Sequence, residues 1–157
     1  MDLLLWRHAE AEYGPPDMER ALTPKGRRQA QKMGQWLART LPESCRILVS
    51  PAKRAVQTAD ALGRTYKIVP EIAPDASAAQ VLLACQWPQR KEPVLIVGHQ
   101  PTLGQVAALL LSGAEQDWHI RKANVWWISQ RNKDEKNLDD ESATHLKLAL
   151  GPDMVSK

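Results

Sequence analysis

Cysteine is nearly missing from this 157-residue chain: Cys45 and Cys85 are the only two. That count excludes a disulfide-held scaffold, and the pair reads as reduced thiols that fill space rather than bridge or bind metal. Long apolar runs are missing too. The longest, around Val106 to Leu111, falls well short of the ~20 residues of a membrane-spanning helix. Met1-Asp2 leads straight into Leu3-Leu4-Leu5-Trp6, without the basic flank and small-residue cleavage site of a secretory leader. The expected setting is the cytoplasm, with no membrane contact. Acidic residues are scarce in one stretch of the chain. Residues 20–54 hold nine Lys or Arg against Glu43 alone, a net of +8, whereas residues 1–19 have a net of −4 and the whole chain only +3. Most of that basic stretch fits a solvated helix face, but its field also draws anions. The companions of nucleic-acid binding are missing: there is no interleaving of basic and aromatic residues, no zinc spacing and no recognition module. The expected partner is a phosphorylated protein or a small phosphorylated molecule, and no nucleic acid.

What is present is ordinary for a globular chain, with 43% apolar and 25% charged residues. The length suits one domain that buries about two-thirds of its unfolded surface. No repeat or linker divides it, so residues 1–150 are expected to form that domain and 151–157 to fray. Apolar strands alternate with helices. Leu3–Trp6, Arg46–Val49, Tyr66–Val69 and Pro93–Gly98 read as strands. Helices are expected after Thr23-Pro24, after Ser50-Pro51, over Ser77–Trp87 and over Pro101–Leu111, each opened by a capping residue or a first-turn proline where one is present. Asn124–Ser129 and Thr144–Leu150 read as two further strands, joined by the polar segment 130–142 as an exposed hairpin tip. Continuous apolar strands separated by helices predict a three-layer α/β/α sandwich around a mostly parallel sheet.

In such sheets ligands collect beyond the carboxyl ends of the strands. Arg7-His8 follow the first strand, Ser50-Pro51 and the turn carrying Arg54 follow the second, and His99 follows the strand ending at Gly98. Each alone is weak: an arginine in a first helical turn usually faces solvent, and a histidine at a strand end is usually a turn residue. Together they bring two guanidiniums, whose planar forks match phosphate oxygens, beside two imidazoles. No acid near these strand ends offers to neutralise them, so an anion is expected among them.

These segments carry a resemblance. Leu5-Trp6-Arg7-His8-Ala9-Glu10, Leu22-Thr23-Pro24-Lys25-Gly26-Arg27-Arg28-Gln29-Ala30, Ser50-Pro51-Ala52-Lys53-Arg54-Ala55-Val56-Gln57-Thr58-Ala59 and Val97-Gly98-His99-Gln100-Pro101 resemble, in order, four signature blocks of the histidine phosphatase superfamily, the phosphoglycerate mutase-like family. The short chain is most like its SixA-type phosphohistidine phosphatases. The resemblance implies a phosphoglycerate mutase-like fold and a hydrolase that needs no metal or other cofactor. It also implies roles. His8 attacks phosphorus and forms a phosphohistidine intermediate. Its other ring nitrogen gives its proton to an acceptor, expected to be a backbone carbonyl. Arg7 and Arg54 grip the phosphoryl oxygens and His99 adds a donor. Arg20, just before Leu22-Thr23, sits where short members carry an arginine, either touching substrate from the rim or lying exposed in a loop.

The general acid is the open position. Gln100-Pro101-Thr102 offers no carboxylate; Glu71 has the right order in the chain, Asp75 is the poorer candidate, and both also read as loop acids. A missing acid suits a substrate whose leaving group departs easily. Imidazole leaving a phosphohistidine does so, which makes a protein phosphohistidine the expected substrate. A small phosphorylated metabolite is the alternative, and a non-catalytic module binding phosphate or a phosphoprotein is the alternative of another class. Ser50 reads as a helix cap, and His119 and His145 as structural or exposed. No His-Cys-carboxylate spacing supports a metal site.

Overall fold

Leu3, Leu4, Leu5 and Trp6 are all fully buried, so the strand that carries them, β1 (Asp2–Arg7), is covered on both faces. Alternate side chains of a strand point to opposite faces. Leu4 and Trp6 accordingly join a cluster with Ala30, Met33 and Leu37 of α1 (Pro24–Thr40) and Ala55 and Ala59 of α2 (Lys53–Asp60). Leu3 and Leu5 join a second cluster with Val81 of α3 (Ala78–Ala84) and Leu103, Val106 and Ala107 of α4 (Thr102–Ser112). The computed structural model describes residues 1–131 and 143–155.

The remaining strands are β2 (Arg46–Val49), β3 (Lys67–Ile68), β4 (Val94–Gly98), β5 (Val125–Gln130) and β6 (Thr144–Leu150). The six form one sheet in the order β3-β2-β4-β1-β5-β6. β1 to β4 run parallel, while β5 lies antiparallel to β1 and β6 antiparallel to β5. The result is the α/β/α sandwich with a mostly parallel sheet that the alternation predicts.

Local chemistry sets the element ends. Thr23 caps α1, its Oγ1 accepting from the Gly26 N–H at 2.9 Å with Pro24 in the first turn. Ser77 and Gln80 exchange bonds in a capping box that opens α3. Gly113, at φ 80°, closes α4 in the left-handed conformation. The lysines and arginines of α1 lie mostly on its exposed side, the solvated face expected of them. Trp126 and Trp127 face opposite clusters, and Cys45 and Cys85 are free and buried.

Three expectations change. The strand expected over Tyr66–Val69 pairs only at Lys67 and Ile68, an edge two residues long that Pro70 follows into a 3-10 turn. Ser50 does not cap α2; Ala52 takes that position, and the Ser50 hydroxyl closes a small turn by accepting from the Ala52 N–H at 3.2 Å. The end of the domain does not fray at 151: Gly151 is buried, Pro152–Met154 form a 3-10 turn against α1, and Val155 joins the core. The expected hairpin tip lies, from residue 132 to 142, outside the described residues, as do 156 and 157. Among the described residues no helix is long and apolar enough to cross a membrane.

Candidate active site

The three neighbouring strands β2, β4 and β1 end at one level. Arg7 pairs with Gly98, and Val49 with Val97. The chain then continues from each into Ser50, His99 and His8. Backbone bonds from His8 N–H to Gly98 O at 3.1 Å and from Ser50 N–H to Val97 O at 3.0 Å carry the ladder one residue past the strands. These first residues after the sheet are therefore fixed almost as firmly as the strands. Their imidazoles face each other with ring centroids 5.2 Å apart.

A cavity of about 420 Å³ opens above them, lined among others by Arg7, His8, Arg20, Arg54 and His99. All five residues singled out from the sequence meet there, with Arg20 at the rim. Arg54 reaches it from the first turn of α2, and Arg7 is anchored by a bond from Nη1 to the Ile120 carbonyl at 2.9 Å.

His8 Nδ1 lies 2.7 Å from the Ala9 carbonyl. A carbonyl only accepts, so Nδ1 carries the proton and Nε2 keeps its lone pair. That is the tautomer a nucleophilic imidazole needs. Burial pushes the His8 pKa down to about 4; the Ala9 bond opposes this, and the nearby Arg54, Arg7 and Arg20 add to it. His99 is pushed to about 3, first by burial and then by His8 and Arg54. Both rings are neutral at pH 7. His99 Nε2 lies 2.7 Å from the Ser50 hydroxyl, while its buried Nδ1 has no partner among the described residues.

The loop after His8 is held by side chains from α1 and α2. The Ala9 N–H donates to Thr58 Oγ1, the Glu10 N–H to Gln29 Oε1 and the Leu22 N–H to Gln57 Oε1, at 3.0, 3.1 and 2.7 Å. Thr23 Oγ1 donates to the Glu10 carboxylate at 2.8 Å. Gly26 packs so close to this loop that a Cβ there would fall 2.0 Å from the Glu10 carbonyl oxygen. Gln29, Gln57 and Thr58, quoted above within family blocks, thus act as struts for the loop that follows His8. Their signal in the sequence was an amide or hydroxyl recurring on helices that otherwise bury small apolar residues.

The structure corrects two readings of the acids. Asp17, from the loop between β1 and α1, does stand beside the cationic groups: its carboxylate pairs with Arg54 Nη2 at 3.2 Å and Arg20 Nη1 at 3.1 Å. Its separation from the strand ends hides it in the sequence; an Ala11–Leu22 bridge folds the loop back and brings it in. Glu71 does not face the cavity. The turn Pro70–Ile72 buries Ile72 and leaves Glu71 along a groove beside β3, whereas Asp75, at φ 72°, lines the cavity. Among the described residues no three His, Cys, Asp or Glu side chains are grouped to hold a metal ion.

The chain is similar to known proteins in sequence and in fold. The chain is 30% identical over 122 residues, 72% of its length and 76% of the other's, to the phosphohistidine phosphatase SixA of Escherichia coli (strain K12). Its fold superposes on a structure of the protein histidine phosphatase SixA complexed with tungstate, with a TM-score of 0.78, 24% identity and 97% of each chain covered. A phosphoserine phosphatase from Entamoeba histolytica in complex with phosphoserine superposes with a TM-score of 0.68 at 16% identity, over 94% of this chain and 95% of that one. Residues 3–81 match the model of the histidine phosphatase superfamily (branch 1). With half its length matching that model and a 30% identical relative aligned over 72% of it, the chain belongs to the histidine phosphatase superfamily.

Proposed function

We propose that this phosphatase removes phosphoryl groups from protein phosphohistidine through a covalent intermediate on His8. The observation that carries the reading is the bond from His8 Nδ1 to the Ala9 carbonyl, which leaves an unprotonated Nε2 in a cavity shared with Arg7 and Arg54. In the first step the Nε2 lone pair attacks phosphorus. The bond from phosphorus to the substrate nitrogen breaks, and its electron pair leaves with the imidazole, which takes up a proton from solvent water. Water then attacks phosphorus, Nε2 leaves with its electron pair, and inorganic phosphate is released. Arg7 and Arg54 stabilise the charge on the equatorial oxygens in both steps, His99 contributes a further donor, and Arg20 contacts the phosphoryl group from the rim.

The acids at the site support the choice of leaving group. Arg20 and then Arg54 hold the Asp17 carboxyl below the usual carboxylate range, so it is ionised and supplies no proton. Asp75 lines the cavity only as an exposed loop acid. An alkoxide would need a proton donor; an imidazole needs little help. The partner on this reading is a phosphohistidine-bearing protein domain in the cytoplasm.

A substrate panel tests the reading: a phosphohistidine protein, phosphoserine, a sugar phosphate and an aryl phosphate, each with wild type and His8→Ala. The expected result is a phosphohistidine preference that vanishes in the variant, with an acid-labile label trapped on the wild type. Preference for phosphoserine or a sugar phosphate would replace the substrate with a small metabolite. Phosphate binding without turnover would make the chain a binding module, and undiminished turnover in His8→Ala would remove His8 from the mechanism.

A further inference from the structure

Arg54 is nearly enclosed, with 5% of its side chain exposed, yet both terminal nitrogens already have partners on one residue. Nη1 donates to the Asp17 backbone carbonyl at 2.8 Å and Nη2 to Asp17 Oδ2 at 3.2 Å. The other carboxylate oxygen, Oδ1, accepts from Arg20 Nη1 at 3.1 Å. One residue thus offers three oxygens to two guanidiniums, much as a phosphoryl group would. Asp17 is loosely seated: its side chain is 57% exposed, and the turn Asp17–Glu19 that carries it buries no residue. The cavity beside it is otherwise cationic, with Arg7 and Lys122 facing it and only Asp75 as a second acid among its lining residues.

We propose that Asp17 is a specificity-determining residue whose carboxylate holds the bonding positions on Arg54 and Arg20 that a phosphoryl group takes, and that an entering anion must displace it. A phosphoryl group of two negative charges, forking onto Arg54 and reaching Arg7, outcompetes a single carboxylate. A singly charged ligand does not, because it only exchanges one carboxylate for another. The contact therefore sets a threshold that favours phosphoryl groups over carboxylates. It also lowers affinity for the phosphate product. The opposite role, Asp17 as a support that holds Arg54 ready, predicts effects of opposite sign.

The inference rests on the reading that this cavity takes a phosphoryl group. Calorimetric titration with inorganic phosphate of the wild type, Asp17→Asn and Asp17→Ala tests it, with thermal unfolding to confirm that each is folded. The Asp17 carboxylate is more than half exposed, so solvent screens its hold on the guanidiniums, and phosphate is expected to bind both variants about three- to fivefold more tightly than the wild type. Acetate should inhibit their hydrolysis of an aryl phosphate at correspondingly lower concentration. In the wild type, the carbon-13 signal of the Asp17 carboxyl should move on phosphate addition. Equal or weaker phosphate binding in both variants, or a carboxyl signal indifferent to phosphate, overturns the role of Asp17 while leaving the site intact. A wild type that binds no phosphate would overturn the site reading and this inference together.

Discussion

Acidification gives the sharpest test of the electrostatics around His8. A free imidazole titrates near 6.5, whereas burial beside Arg54 and Arg7 brings His8 to about 4. At pH 7 roughly one molecule in a thousand then carries a charged His8, so the nucleophile is ready across the physiological range. The same displacement is a stability statement. As pH falls from 6.5 towards 4, the unfolded chain takes up a proton at this position that the folded chain refuses, so stability drops as pH drops. The stabilisation is complete above 6.5, and the loss from His8 alone is on the order of 3 kcal/mol once pH 4 is passed. His99, pushed to about 3 with His8 as one cause, acts in the same direction. Because the rings face each other, their contributions are coupled and do not simply add. Proton NMR of the imidazole rings, assigned with His8→Asn and His99→Asn, reads the titrations directly. Urea unfolding of wild type and His8→Asn at several pH values isolates the His8 contribution from that of the carboxylates. A His8 midpoint near 6.5, or urea midpoints that run parallel between wild type and variant from pH 7 to 4, would refute the reasoning.

Other substitutions test single contacts. Arg54→Lys keeps the charge but loses the fork, and is expected to lower kcat/KM for an aryl phosphate by about a hundredfold, read by steady-state kinetics. Ser50→Ala removes the hydroxyl 2.7 Å from His99 Nε2; about a tenfold fall in kcat, with restoration by Ser50→Thr, is expected. Gly26→Ala drives a Cβ into the Glu10 carbonyl and should cost about 1–3 kcal/mol in urea unfolding, with a loss of activity as the loop after His8 shifts. Gln57→Ala leaves the Leu22 N–H without its acceptor and should cost about 1–2 kcal/mol with a smaller effect on kcat.

The strand ends were legible in the sequence because unbroken apolar runs say where a parallel strand stops, and His8, His99 and Ser50 follow immediately. Arg54 was legible because only one short turn separates it from Ser50. Asp17 was not. It lies in a loop with no periodicity, and its position depends on the Ala11–Leu22 bridge and on Arg54, which are contacts between distant residues. Glu71 and Asp75 were ranked by chain order, but a single 3-10 turn decided between them by burying Ile72. Val155 was missed because two adjacent apolar residues in a short tail show no periodicity; the turn Pro152–Met154 docks on α1 and delivers Val155 to the core. Ser50 was read through its proline neighbour as a cap, when its hydroxyl spans instead to a histidine 49 residues away.

β1 is paired along its length on both edges and enclosed by side chains on both faces. Its amides should exchange with deuterium only when the whole molecule opens, whereas those of the turn at 17–19 should exchange through local breathing. The chemical floor is thus tied to the slowest-exchanging part of the protein and the wall that screens incoming ligands to one of the fastest. Selection or design could therefore rework ligand preference in that wall at little thermodynamic risk to the floor.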